Sequence, residues 1–417
     1  MGSGADGTGG NTTTYGWDGR NNALSQKLPL GATASVTAYQ TIAGTDLPND
    51  FTTADGRKDT FEYDTNGNTM SVTTSGTAGG TREYSYNKDT PTCGGFEGQR
   101  CTAKDANGKV TSFEYDTKGN LKKVTPPAPL GTTIYTYDYD SQDRLRYALE
   151  ADSGVRKASW LYCWDKAGNL TSQDGSKNAC PTYTYDDASE LTGRNGSTTG
   201  WSYDKLGNET AGASTPPPRT NETWTDYSQL SGITAGGKSY DLAHAGTDNS
   251  ERTKLGSTWF HHTALSLAST TTNGVDTGFI REPAGTLNSM TTGGKSYYYL
   301  TDATGNVLGL TDDTGKRTHT YGPTGLPRGT TTEAAPQPHR YAGTYLDPTG
   351  LYKMGHRYYD PTLGRFTQPD PSGQETNPYL YADGDPVNRI DPTDSLTGVA
   401  LRPSLSVRLL ESPRRSC

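Results

Sequence analysis

Aspartates, cysteines and histidines are the residues of this 417-residue chain whose types and spacing could do chemistry. Aspartate recurs inside one phrase. It stands whole at Tyr63-Asp64-Thr65-Asn66-Gly67-Asn68, Tyr115-Asp116-Thr117-Lys118-Gly119-Asn120 and Tyr203-Asp204-Lys205-Leu206-Gly207-Asn208. Trp164-Asp165-Lys166-Ala167-Gly168-Asn169 exchanges one aromatic for another, and looser copies sit at Tyr139-Asp140 and Tyr185-Asp186. One carboxylate per turn makes a poor Ca²⁺ cage, and the glycine-rich nonapeptide of calcium-binding β-helices is absent. Asp at the first position and Gly at the fourth are instead what a type I turn prefers. With the aspartates spread over turns, nothing points to the paired carboxylates of a glycosidase.

The five cysteines fall into two close pairs and a remainder. Cys93 and Cys101 bracket a Gly-rich loop, and Cys163 and Cys180 flank one Asp-x-x-Gly turn. Both spacings suit disulfides that staple neighbouring strands, which implies an oxidising compartment. No C-x₂-C pair or nearby His completes a tetrahedral zinc set. Cys417 is left over. His261 and His262 are adjacent, so on a strand they point to opposite faces, which argues against a shared metal. No cofactor is expected.

The elements that carry these residues are strands. Phe113-Glu114-Tyr115 and Tyr183-Thr184-Tyr185 alternate aromatic with polar, the period-2 signature of a strand with one aromatic face. Each phrase then reads as a hairpin, its Gly supplying the positive φ of a bulged three-residue turn. The aspartates from Asp116 to Asp204 recur every 18 to 25 residues, which means one supersecondary unit stacked many times. With 27 Tyr, 51 Gly and only 30% hydrophobic residues, the chain lacks material for one deep aliphatic core. A long twisted sheet with ladders of Tyr and Thr can be built from it, because cross-strand pairs stabilise locally. The expected class is all-β.

Net charge is −8, with both signs interspersed. Nucleic-acid binding needs a basic stripe and is not expected. No apolar run approaches the roughly 20 residues of a membrane span. No secretory signal is visible at Met1-Gly2-Ser3-Gly4, and the early entry into repeat-like sequence suggests a fragment or shortened relative of something longer.

Four sections follow one another. Residues 1–212 carry the repeats, and residues 213–335 are diverged repeats ending in a β-meander around Tyr297-Tyr298-Tyr299. Residues 336–394 are dense in motif. Residues 395–417 form a tail rich in Ser, Leu and Arg with no aromatic residue.

Within the third section Gly350-Leu351-Tyr352-Lys353-Met354-Gly355-His356-Arg357-Tyr358-Tyr359-Asp360-Pro361 leads through Gly364-Arg365-Phe366 to Asp370-Pro371. Asn377-Pro378-Tyr379-Leu380-Tyr381 and Asn388-Arg389-Ile390-Asp391-Pro392 follow. This run resembles the RHS-repeat-associated core domain, and the upstream phrase resembles the YD repeat of the same proteins, in wording close to actinobacterial members. Relatives of that family include toxin-complex C components, bacterial effectors, wall-associated proteins and teneurins.

The resemblance implies a long sheet spiralling into a hollow β-shell, with the core domain as a C-terminal plug and a toxin cargo enclosed in cis. It implies secretion or a cell-surface location. It also implies an aspartic autoprotease, with Asp370 and Asp391 as the two carboxylates and Arg357 as the nearby cation. Two carboxylates sharing a proton divide base and acid roles. Here Asp394 and Ser395 stand where the family has Gly and an apolar residue, and the tail reads as a remnant of an effector end. Three functions are therefore open: a structural shell, an autoprotease that releases the tail, and a surface adhesion module stacking Tyr and Trp on carbohydrate. Incomplete shells would also expose a sheet edge and self-associate.

Overall fold

The computed structural model describes residues 14–27, 33–52, 56, 58–76, 80–88, 91–126, 133–174, 183–212, 217–246, 251–263, 266–281, 287–301, 305–311, 320–328, 337–373, 375–390 and 399–400. Every regular element among them is a β-strand, apart from two single-turn 3-10 segments, Tyr341–Gly343 and Ala382–Gly384. The described residues form two compact units, one up to Ile134 and one from Tyr135.

In the first unit, Lys58–Tyr63, Thr69–Thr74, Gly80–Tyr86, Arg100–Lys104, Val110–Tyr115 and Leu121–Thr125 pair antiparallel in sequence order. In the second, Leu145–Asp152, Val155–Trp164 and Leu170–Asp174 do the same. A hairpin of Tyr183–Tyr185 with Leu191–Arg194 follows. A twelve-stranded antiparallel meander then runs from Trp201–Tyr203 to Val307–Thr311.

The turn phrase works as an interlocked unit. Asp64 N–H donates to the Asn68 carbonyl at 2.9 Å and Gly67 N–H to the Asp64 carbonyl at 3.1 Å. Asp64 Oδ1 accepts from the backbone N–H of Asn66 and Asn68, and Asn68 Nδ2 donates to Oδ2. Gly67 takes φ 85°. Asp116, Asp165 and Asp204 repeat the closure. Where Gly is missing, Asp143, Ser189 and Ser228 occupy the left-handed position, at some steric cost.

Successive hairpins are tied by the motif aromatic. Tyr86 and Tyr115 donate their hydroxyls to the carbonyls of Thr69 and Arg100, at 2.8 and 2.9 Å. In the second unit Trp164 Nε1 donates to Leu145, Tyr185 to Leu170, Trp224 Nε1 to Glu209 and Tyr321 to Val307. Each acceptor is the first residue of the preceding return strand. The phrase therefore carries both the turn and the link to the previous repeat.

The second unit's core lies where residues 337–390 meet the meander. Tyr345–Leu346, Tyr352–Met354, Arg357–Asp360 and Arg365–Phe366 form a four-stranded sheet. Leu351 and Tyr358 from this segment pack with Leu230, Ile233, Leu242, Leu255 and Phe260 of the meander. Tyr341, Tyr352, Met354, Tyr359, Phe366 and Tyr381 make a second, mainly aromatic cluster. The hydroxyls of Tyr341, Tyr352 and Tyr359 donate to the carbonyls of Pro323, Gly325 and Thr324. A chain poor in aliphatics thus builds much of its core from rings, three of which spend their hydroxyls on backbone carbonyls.

Candidate functional site

Buried ion pairs hold the C-terminal segment to the hairpins. Arg252, on the meander strand Arg252–Leu255, donates to both oxygens of Asp347 at 2.5 and 2.7 Å. Its guanidinium also lies 4.3 Å from the Phe260 ring centroid. Burial alone would lower its pKa, but the Asp347 carboxylate outweighs that and raises it. Arg219 meets three carboxylates: Glu209 at 2.5 Å, Asp360 at 2.7 Å and Glu222 at 3.2 Å. All four side chains are buried. One cation cannot neutralise three anions in a dry site. Burial, and then the charge of Glu209, push the Glu222 carboxyl well above the usual range. Two further polar ties, Asn377 Nδ2 to Asn169 Oδ1 at 2.6 Å and Tyr379 hydroxyl to the Gly207 carbonyl at 2.7 Å, pin the segment to the turns of the repeats.

Two of the three residues implied by the family resemblance, Arg357 and Asp370, lie within this segment. Arg357 is buried, its guanidinium 3.6 Å from the Phe366 ring centroid. Its Nη1 and the Asp370 backbone N–H donate to the same carbonyl, that of Pro378, at 3.0 and 2.8 Å. The Asp370 carboxylate accepts from Ser372 N–H at 3.1 Å, from the Ser372 hydroxyl and from Glu375 N–H at 3.3 Å. Arg357 and Asp370 are therefore brought together around Pro378, while Asp391 lies outside the described residues, as do Asp394 and Ser395. Beside them, burial and then Asp383 push the Glu375 carboxyl up to about 7. Burial raises the Asp385 carboxyl to about 6, against the two Asn388 Nδ2 contacts at 2.9 and 2.8 Å. Arg389–Ile390 pairs with Val399–Ala400.

Of the cysteines, Cys93 is bonded to Cys101. Cys163 is also disulfide-bonded, and Cys180 lies outside the described residues. His261 Nε2 contacts Thr271 Oγ1 at 3.0 Å, whereas His262 Nε2 contacts the Arg252 carbonyl at 2.9 Å. No group of three or more His, Cys, Asp or Glu suited to a metal occurs among the described residues. Nor is any helix among them long and apolar enough to cross a membrane.

Asp347 and Asp360 each stand before a proline, and neither carries a sequence signal of an ion pair. Their arginines lie 95 and 141 residues away, so no local pattern could have announced them. The i,i+3 pair Arg219–Glu222 was the one visible signal.

No protein-family model matches the chain. Its structure is similar to the Photorhabdus luminescens Tc holotoxin pore carrying a substitution in TccC3, with TM-score 0.66 and 18% identity over 95% of this chain and 22% of that one. It is also similar to crystal structures of TcdB2-TccC3-TEV and TcdB2-TccC3-Cdc42, each with TM-score 0.64 and 18% identity. These cover 93% and 97% of this chain and 22% of theirs. Among curated proteins, salivary gland surface protein 1 of Aedes aegypti is 52% identical over 46 residues, 11% of this chain and 1% of that protein. The chain thus spans about a fifth of the solved chains it matches and far less of the curated one. At such identity the likeness concerns fold, and the fold is all-β: repeated hairpins in long antiparallel sheets, the RHS-type β-shell architecture of the Tc toxin components.

Proposed function

We propose that this chain is the structural β-shell part of an RHS-repeat toxin or effector, and that it encloses or presents whatever lies C-terminal to its core segment. The buried Arg252–Asp347 pair is the observation that carries this reading. It ties the core segment to the meander, so that segment would hold a cargo carried C-terminal to it against the sheet. Secretion and a cargo carried in cis are parts of the same proposal. A compact reporter domain fused after Cys417 tests it. Enclosure predicts that the fused reporter resists a protease that digests the free reporter. Equal digestion rates would rule enclosure out.

A second reading, self-cleavage near Asp394 by Asp370 and Asp391 with Arg357 alongside, is favoured by one observation. Glu375, a carboxyl titrating near neutrality, stands in the field of both Arg357 and Asp370. Intact mass decides it: a species ending near Asp394 that vanishes in Asp370→Asn supports cleavage, and full-length mass in both chains removes it.

A further inference from the structure

In the first unit one connection departs from the Asp-x-x-Gly turn. Between Gly80–Tyr86 and Arg100–Lys104 stands a longer loop, closed by the bridge between Cys93 and Cys101, eight residues apart. The antiparallel order puts this loop at the same end of the sheet as two tight turns. The Asp64 turn precedes it and the Asp116 turn follows it. Of residues 91–101 only Cys101 is buried, while Cys93 is half-buried.

Asn87 organises the loop from within. Its buried side chain donates through Nδ2 to the carbonyls of Gly94 and Phe96, and its Oδ1 accepts from Thr92 N–H at 2.8 Å. From that frame the loop reaches the turns on both sides. Toward the following hairpin, the Cys93 carbonyl accepts from Tyr115 N–H at 2.8 Å, and Gln99 Nε2 donates to the Gly119 carbonyl at 2.7 Å. The Phe96 ring lies so close on Gly119 that a Cβ there would stand 2.6 Å from it. Toward the preceding hairpin, Asn66 Nδ2 donates to Glu97 Oε1 at 3.2 Å.

We propose that the Cys93–Cys101 bridge is a redox-operated clasp, which locks this loop onto the tight turns on either side of it. With little apolar packing inside the loop, the covalent link is what limits its freedom, and Gly94, Gly95 and Gly98 give it much freedom to regain. A dithiol reductant opens the clasp in two steps. One thiolate attacks the sulfur of Cys93, the more exposed of the pair, and Cys101 leaves as a thiolate that takes up a proton. The second thiol of the reductant then displaces Cys93, and the reductant departs as its own disulfide. Released, the loop withdraws Cys93, Phe96 and Gln99 from the Tyr115–Gly119 turn, while the strand ladders stay paired. This rim of the sheet is thus closed in an oxidising medium and loosened in a reducing one, whatever the chain carries.

The test is hydrogen exchange of the whole purified chain, oxidised and after dithiothreitol without denaturant. Iodoacetamide labelling of the folded chain should show both Cys93 and Cys101 as free thiols after reduction. Peptides from residues 91–100 and 113–120 should then exchange about tenfold faster or more. Peptides from Leu230–Ala235 should not change, and reoxidation should restore the slow pattern. The double variant Cys93→Ser, Cys101→Ser should show the fast pattern without reductant. Cys163→Ser, which removes the other bridge among the described residues, should respond to dithiothreitol as the parent chain does. Phe96→Ala, which keeps the clasp closed but lifts the ring from Gly119, should speed exchange at residues 113–120 in the oxidised chain. The proposal is overturned if the bridge resists dithiothreitol while the chain is folded. It is equally overturned if residues 113–120 keep their protection after reduction, or if Cys163→Ser abolishes the response.

Discussion

Arg252 and Asp347 stand 95 residues apart in sequence and form a buried two-point ion pair, one partner on the meander and the other on the turn that follows Tyr345–Leu346. Leaving either charge without its partner in that site costs far more than the pair contributes over a well-packed apolar substitute, about 3–5 kcal/mol. Arg252→Ala should lower stability by that amount in chemical denaturation. The double variant Arg252→Met, Asp347→Leu should recover more than half of the loss. A drop of less than about 1 kcal/mol in the single variant would mean that the pair is not buried as described.

The Arg219 cluster makes stability fall toward high pH. The folded Glu222 carboxyl titrates well above its unfolded value of 4.5, first through burial and then through Glu209. Its contribution is fully present below about pH 4.5 and is lost as pH rises through the folded value. Glu222→Gln, which cannot lose a proton, should therefore gain on the parent chain by up to about 1.4 kcal/mol per pH unit above 4.5. A difference independent of pH between 5 and 9 would show that the cluster does not hold a proton.

His339 acts at the other end of the scale. It is buried, edge-on to Phe279 at 4.7 Å, and its Nδ1 contacts the Gly343 carbonyl at 2.9 Å. Burial, with Arg281 nearby, holds its pKa well below 6.5. Its contribution is present above about pH 6.5 and is lost as pH falls below that value, because the unfolded chain takes up a proton that the folded one refuses. Between pH 7 and pH 5 the urea midpoint of His339→Gln should rise relative to that of the parent chain, and a difference that does not change with pH would remove His339 from the account.

The aromatic links between repeats are separable from their packing. Tyr185→Phe keeps the ring but removes the donor to the Leu170 carbonyl, a loss of about 1 kcal/mol in denaturation. Tyr227→Phe, at an exposed position within a turn, should change stability by less than about 0.5 kcal/mol. Equal effects at the two sites would remove the link from the account.

The hairpins were legible because everything that builds them is local. The Asp-x-x-Gly-Asn phrase sets the turn, and the alternation before it sets the strand. Its asparagine is less legible: Asn68, Asn169 and Asn208 donate their side chains back to the turn aspartate. The donation of each aromatic to the preceding repeat spans roughly one repeat length and left no mark in residue type beyond Tyr or Trp. Asp347 and Asp360 were hidden for a stronger reason. Asp-Pro reads as a turn, and only the fold reveals that their carboxylates are spent on Arg252 and Arg219. In the candidate autoprotease, Arg357 and Asp370 prove to share the Pro378 carbonyl, a convergence that their spacing alone does not announce.

The anchoring of the core segment is the claim on which the account rests, and hydrogen exchange followed by mass spectrometry reads it most directly. Peptides within residues 345–381 should be as protected as those from the meander strands Leu230–Ala235 and Arg252–Leu255. In Arg252→Met the first group should lose protection while the Leu230–Ala235 peptides keep theirs. Rapid exchange across residues 345–381 in the parent chain would contradict the account.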